Sequence, residues 1–390
     1  MKEWKTYRLG DIITISSGFP YKGEFIGKGN NYLLGMGCVS FKETFLKSGL
    51  RQYSGDAPER YIAHPGDIVL ATRQQSDNLP ILGMPAIIPQ AYNGYKMIIG
   101  ANLYKVQNES EFSNAYIYWL MKSPAYVHHI KSCQTGTTVR MITKANIEDF
   151  TFKAPEKSER DKIASFLWNI EEKIAINRQI NDNLEQQAQA LYKSWFVDFE
   201  PFKDQEFVES EFGLIPEGWH CTTISELLSI KYGKDHKKLA EGIVPVYGSG
   251  GLMRYVDTKL HDGEAVLIPR KGSLNNVMYV NEAFWTVDTM FYSIPKQEYS
   301  CIYAYLFLAN KDLASMNAGS AVPSMTTDIL NNMHIIAPPV EVLKRFNNIC
   351  DVYFSRINQN NIENANLSKQ RDTLLPKLMS GELKINEIDC

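Results

Sequence analysis

The chain has 390 residues, with 44% hydrophobic and 22% charged residues and a net charge of −3. That composition is the balance of a soluble globular protein, and the length predicts two or three domains. No run of apolar residues reaches membrane-spanning length, and Met1-Lys2-Glu3-Trp4 opens no signal-peptide core, so a cytoplasmic protein without a membrane contact is expected.

Charge is unevenly spread. Residues 1–154 carry 17 Lys+Arg against 12 Asp+Glu, residues 155–200 carry 6 against 9, residues 201–338 carry 11 against 16, and residues 339–390 carry 7 of each. Six cysteines, Cys38, Cys133, Cys221, Cys301, Cys350 and Cys390, show no CxxC spacing and no neighbouring His pair, so reduced thiols and no metal site are expected.

In chain order, Trp4, Leu9 and Gly18 recur as Trp219, Ile224 and Gly233, at an offset of 215. The strand-like run Gly66-Asp67-Ile68-Val69-Leu70-Ala71-Thr72-Arg73 recurs as Gly263-Glu264-Ala265-Val266-Leu267-Ile268-Pro269-Arg270, at an offset of 197. Gly136, Thr143 and Pro155 recur as Gly319, Thr326 and Pro338, at 183. The chain is therefore a duplication whose second copy has shorter loops. Each half reads as a globular part of short apolar runs punctuated by Gly and Pro, with a helix near residues 114–130 and again near residues 302–314.

A long helix closes each half. The first is expected to begin near Ser158. Its apolar positions are Ile163, Leu167, Ile170, Ile174, Asn177, Asn181, Leu184, Ala188, Leu191 and Trp195, a heptad seam. Adding 183 gives Phe346, Cys350, Tyr353, Ile357, Asn360, Asn364, Leu367, Arg371, Leu374 and Leu378, in which Arg371 is the discordant member. Paired asparagines in a seam cost stability unless they meet partners. Antiparallel packing would set Asn177 against Asn364 and Asn181 against Asn360, and it lets a domain–helix–domain–helix chain close on itself. The expected fold is α/β (α+β), with two pseudo-symmetric globular domains separated by an antiparallel coiled coil. The expected boundaries are 1–154 for the first domain, 155–200 for its helix, 201–338 for linker and second domain, and 339–390 for the second helix and tail.

Catalytic motifs are missing. Ala337-Pro338-Pro339-Val340 lacks the amide and the aromatic of a methyltransferase target-base motif, Gly35-Met36-Gly37 is a lone GxG, and Gly23-x3-Gly27-Lys28 falls one residue short of a P-loop. His128-His129 reads as the end of a surface helix.

Three motifs carry a family resemblance. The segment 184–202, ending Ala190-Leu191-Tyr192-Lys193-Ser194-Trp195-Phe196-Val197-Asp198-Phe199-Glu200-Pro201-Phe202, resembles the central conserved region of type I restriction–modification specificity subunits. Gly213-Leu214-Ile215-Pro216-Glu217-Gly218-Trp219 and Gln370-Arg371-Asp372, followed by Leu375-Pro376-Lys377-Leu378-Met379-Ser380-Gly381-Glu382-Leu383, resemble the segments that open and close the second half. The first half departs by lacking the Ile-Pro-Glu-Gly that precedes Trp219. The resemblance implies a non-catalytic subunit whose two target-recognition domains each read half of a bipartite site in double-stranded DNA. It also implies that the helices set an unread gap, estimated at about half to one helical turn, and dock two methyltransferase subunits. S-adenosylmethionine, and ATP with Mg on any restriction subunits, are expected on partners and no cofactor on this chain. A duplicated protein-interaction scaffold without DNA contact is the alternative, and the acidic second half is its main support.

Base and phosphate readers need amides, hydroxyls and cations on loops. The first candidate loops follow the repeated strand: Arg73, Gln74, Gln75, Ser76 and Asn78 in the first half, and Arg270, Lys271, Ser273, Asn275 and Asn276 in the second. The next are Thr137, Thr138 and Arg140, matched by Ser320 and Ser324. The third are Tyr21 and Lys22, matched by Lys234, Lys237 and Lys238, with Tyr247-Gly248-Ser249-Gly250-Gly251 as a further flexible loop.

Overall fold

A computed structural model of the chain describes residues 4–75, 80–316 and 324–388. The chain forms two compact units: Met1–Asn177 with Ile362–Cys390, and Arg178–Asn361. Both unit boundaries fall inside long helices, Lys157–Phe196 and Val340–Ser380, so each helix gives one half to each unit.

The first unit opens with a ribbon in which Lys5 pairs with Ala154; its counterpart in the second unit pairs His220 with Ala337, in the same antiparallel sense. The first unit then builds a four-stranded sheet in the order Ile13–Ser17, Leu103–Asn108, Ile68–Ala71, Pro85–Ile87. A second four-stranded sheet runs Leu50–Tyr53, Ile26–Leu34, Met97–Ile99, Ile62–Ala63. In the second unit one six-stranded sheet runs Leu228–Tyr232, Met290–Pro295, His261–Pro269, Met278–Thr286, Val244–Gly248, Gly251–Val256. The long strand Met278–Thr286 explains the difference. It pairs with His261–Pro269 along most of its length and parallel to Val246–Tyr247 at its end, taking a place that two separate strands fill in the first unit. All but two of the named strand pairings are antiparallel, so the two units are α+β in detail.

The repeated residues have repeated jobs. Thr143 and Thr326 each N-cap a short helix, their hydroxyls accepting from Asn146 N and Ile329 N at 3.2 Å in both cases. Gly18 and Gly233 each lie so close to a carbonyl, that of Gly100 or of Val287, that an added Cβ would overlap it. Gly18 N and Gly233 N then donate at 2.9 Å to Leu103 O and Met290 O.

The single helix expected over 114–130 is two helices, Asn114–Lys122 and Pro124–Cys133. Pro124 has no amide to donate and pushes Ser123 into extended backbone, so Ser123 ends one helix and caps the next. The helix expected over 302–314 spans Ser300–Ala309 and gives way to a turn in which Leu313 is fully buried.

In the first unit Ile163, Ala164 and Leu167 pack with Leu375, Leu378 and Met379 beneath the sheets, and Ile170 and Ile174 are also buried. In the second unit Ala188, Tyr192 and Trp195 pack with Leu343, Phe346, Cys350 and Phe354, and Leu191, Tyr353 and Ile357 flank them. Within each unit the beginning of one long helix therefore meets the end of the other, which is antiparallel pairing. Leu184, Leu367 and Leu374 are half-buried. Asn177 Nδ2 donates to Asn364 Oδ1 at 3.0 Å in the first unit, and Asn360 Nδ2 donates to Asn181 Oδ1 at 2.7 Å in the second. Asn177 also donates to Glu363 at 2.8 Å, a carboxylate that Lys173 approaches at 3.3 Å.

Arg371 is buried against Glu171, with Asp372 as a second partner at 2.7 Å. The positions related to these by the repeat are Ala188 and Phe354, both in the second unit's core. One unit thus carries an ion pair where the other carries a small and a large apolar residue.

No helix among the described residues is long and apolar enough to cross a membrane. The five described cysteines are free thiols, and burial pushes Cys38 up to about 11 and Cys350 up to about 12.

Candidate nucleic-acid interface

Two of the three candidate loops meet in each unit. In the first, the short strand Arg73–Gln74 pairs antiparallel with Arg140–Met141, Gln74 opposite Arg140. The intervening turn is closed by Thr135 N donating to Met141 O at 3.0 Å and Met141 N returning to Thr135 O at 2.8 Å, which leaves Thr137 and Thr138 exposed at its tip. In the second unit Lys271 bridges Ser324, and Met325 N donates to Arg270 O at 2.9 Å. Neighbouring backbone anchors both loops. Thr72 N reaches Asn102 O at 3.2 Å, and Arg270 N reaches Thr289 O at 2.9 Å.

The third loop joins this group in the second unit. The Arg270 guanidinium lies 5.4 Å from the centre of the exposed Tyr232 ring and donates to Asp288 O at 3.3 Å. Lys234 N donates to Thr286 O at 2.9 Å, and Trp285 Nε1 donates to Lys234 O at 2.9 Å, so the Lys234 backbone is fixed while its side chain is exposed. Lys237 and Lys238 are also exposed. Asp235 accepts from Lys237 N, which holds its carboxyl below the usual range. In the first unit Lys22 is exposed and Tyr21 is half-buried, edge-on to Tyr53 with centroids 6.4 Å apart.

Some nominated side chains are otherwise engaged. Gln74 is buried because its Oε1 accepts Leu82 N at 3.2 Å, so the structure removes it from the exposed set. Asn275 Nδ2 donates to Asp312 at 3.0 Å and its Oδ1 accepts Ala314 N at 2.8 Å; this amide braces the turn after the helix Ser300–Ala309. Asn276 Nδ2 donates to Ser249 O at 2.8 Å and ties down the Tyr247–Gly251 turn. These two residues shape the loop. Gln75, Lys271 and Ser273 are exposed, Arg73 is exposed, and Ser324 is half-buried. Ser76, Asn78 and Ser320 lie outside the described residues.

Burial raises the Tyr104 phenol, and the charge of Arg73 opposes that shift. Tyr104 OH donates to Ile142 O at 3.2 Å, and Lys144 sits 5.7 Å from the ring centre. No group of His, Cys, Asp and Glu suited to a metal ion occurs among the described residues. His129 Nε2 donates to Asn146 O at 2.6 Å, a structural role at the end of its helix. The strand register adds one residue that no sequence offset marks: Arg51, on the edge strand, whose exposed side chain shares a cavity lining with Tyr21.

A family model described as the type I restriction modification DNA specificity domain matches residues 1–186 and 216–367. The chain belongs to this family. Its two matched segments fall on the two halves of the duplication, so family and internal repeat describe the same division. Among family relatives, the chain is 23% identical to the MjaIX type I restriction enzyme specificity subunit of Methanocaldococcus jannaschii, covering 99% of this chain and 95% of that one. It is 24% identical to the HindI type I restriction enzyme specificity subunit of Haemophilus influenzae, covering 98% and 100%. The type I restriction–modification S subunit of M. genitalium shares the fold, with a TM-score of 0.58 at 16% identity over 97% of this chain and 96% of that one.

Proposed function

We propose that this chain is the DNA-reading, non-catalytic subunit of a type I restriction–modification complex, and that each unit reads one half of a bipartite duplex target. One observation carries the reading. In both units the loop after the repeated central strand is laced to the loop before a Thr-capped helix, and the side chains displayed there differ: Arg73, Gln75, Thr137 and Thr138 in one unit, Arg270, Lys271, Ser273 and Ser324 in the other. A shared frame with unlike contact residues is what two unlike half-sites require. Arg and Lys suit guanine O6 and N7, Gln suits adenine, and hydroxyls suit either. The relatives' names as specificity subunits support the same reading.

The paired helices then set the length of DNA left unread and dock two adenine methyltransferase subunits, which hold S-adenosylmethionine. Any restriction subunit, hydrolysing ATP, would join the same assembly. Residues 201–338 are net acidic, so general phosphate attraction in that half comes from local cations and from partners. The test uses the chain purified with its methyltransferase subunits. Arg73→Ala and Arg270→Ala should relax discrimination at different positions of one bipartite site, each by about 1–3 kcal/mol. Unchanged methylation rate and discrimination in both variants would show the assignment to be wrong.

A further inference from the structure

Arg51 and Arg254 occupy the same place in the two units. Leu33 pairs with Arg51 on one side and Ile98 on the other; Val246 pairs with Arg254 on one side and Trp285 on the other, with the same strand directions. Their surroundings differ. Arg254 Nη2 donates to His236 O at 2.7 Å and to Leu239 O at 2.9 Å, so the second unit's own basic loop supplies its acceptors. Arg51 is exposed and has no hydrogen-bond or ion-pair partner among the described residues.

Arg51 lines a cavity of about 230 Å³ with Tyr21, Ser48 and Asn102 among its walls, and the lining contains no Asp or Glu. A guanidinium offers five donors and no acceptor, so a partner bound there would present oxygen or ring-nitrogen acceptors. The cavity adjoins the first unit's candidate interface. Asn102 O accepts from both Thr72 N at 3.2 Å and Thr72 Oγ1 at 3.0 Å, and Thr72 leads directly into Arg73.

We propose that this cavity binds one nucleotide of the target DNA, with Arg51 donating to its phosphate or to the acceptor edge of its base. The half-buried Tyr21 ring and the Asn102 amide flank that nucleotide. In the second unit the loop carbonyls of His236 and Leu239 fill the equivalent position, so the contact belongs to one half-site alone. The proposal rests on reading the first unit as a DNA reader.

The experiment uses the complex with its methyltransferase subunits. The probes are a duplex carrying the mapped target and a set with each base pair of the first half replaced in turn, at two salt concentrations. Arg51→Ala should weaken binding about tenfold or more. A uniform loss across the set, with a salt slope smaller by about 1 and partial rescue by Arg51→Lys, assigns a phosphate contact. A loss of discrimination at one base pair, without rescue by Arg51→Lys, assigns a base edge. Arg73→Ala is the control. If Arg73→Ala impairs recognition while Arg51→Ala leaves affinity, slope and discrimination unchanged, the cavity assignment falls and the DNA-reading function stands. If the unmodified complex itself shows no sequence preference, both fall.

Discussion

The Glu171–Arg371 pair offers a test in which the protein supplies its own control. Both side chains are less than a tenth exposed, at 9% and 8%, and Asp372 gives Arg371 a second carboxylate at 2.7 Å. Burial works against the Arg371 charge, but Glu171 and Asp372 outweigh it and keep its pKa raised. Arg371→Ala leaves the buried Glu171 carboxylate without its partner, beside Tyr118, whose phenol burial pushes well above its usual range. Breaking a buried pair from one side costs about 3–5 kcal/mol. The repeat-related positions carry Phe354 and Ala188, so Glu171→Phe with Arg371→Ala transplants the second unit's solution into the first. Replacing a buried pair by apolar residues of suitable volume is neutral or stabilising by about 1–4 kcal/mol. Urea unfolding should show the first unit's transition destabilised by several kcal/mol in the single variant and restored close to the starting value in the double. A double variant as unstable as the single would refute the equivalence of the two seams.

Gly18→Ala and Gly233→Ala should each destabilise by about 1–3 kcal/mol through overlap with the Gly100 or Val287 carbonyl, read as a fall in the denaturation midpoint of the unit concerned. Lys122 supplies a pH dependence. Burial lowers its pKa to about 7, although its ammonium reaches Phe41 O at 2.8 Å and Glu43 O at 3.4 Å. Above pH 7 the folded chain releases a proton that the unfolded chain keeps up to its ordinary lysine range. The penalty is therefore full below pH 7, and this group's contribution to stability rises as pH increases through about 7 towards 10. Lys122→Met should remove that slope in unfolding measured between pH 6 and 9, and an identical slope in the variant would contradict it.

The long-range plan was legible because it obeys simple periods. A heptad with asparagines at matching places names its own partner, and the recurrence of Gly18 as Gly233 marks a contact that admits no side chain. Arg371 looked discordant only because Glu171, its partner across the antiparallel pair, lies outside the seam's 4,3 spacing. The loops were harder. Gln74 and Asn275 are polar residues on polar loops, and nothing local says that one holds Leu82 N and the other braces Asp312 and Ala314. Arg51 was missed because its match to Arg254 follows neither of the offsets of the flanking motifs and emerges only from the strand register. The break at Ser123–Pro124 was written in the sequence, as a serine cap before a proline, and was masked by the apolar run on either side.

The central claim is that one chain carries two readers of unlike DNA half-sites. Mapping methylated adenines across the genome of cells with the unmodified gene, with the gene deleted and with Arg270→Ala tests it most directly. The account predicts a two-part motif with a fixed gap that disappears on deletion and loses definition in one part only in the variant. A methylation pattern indifferent to the gene, or a motif that blurs in both parts together, would contradict it.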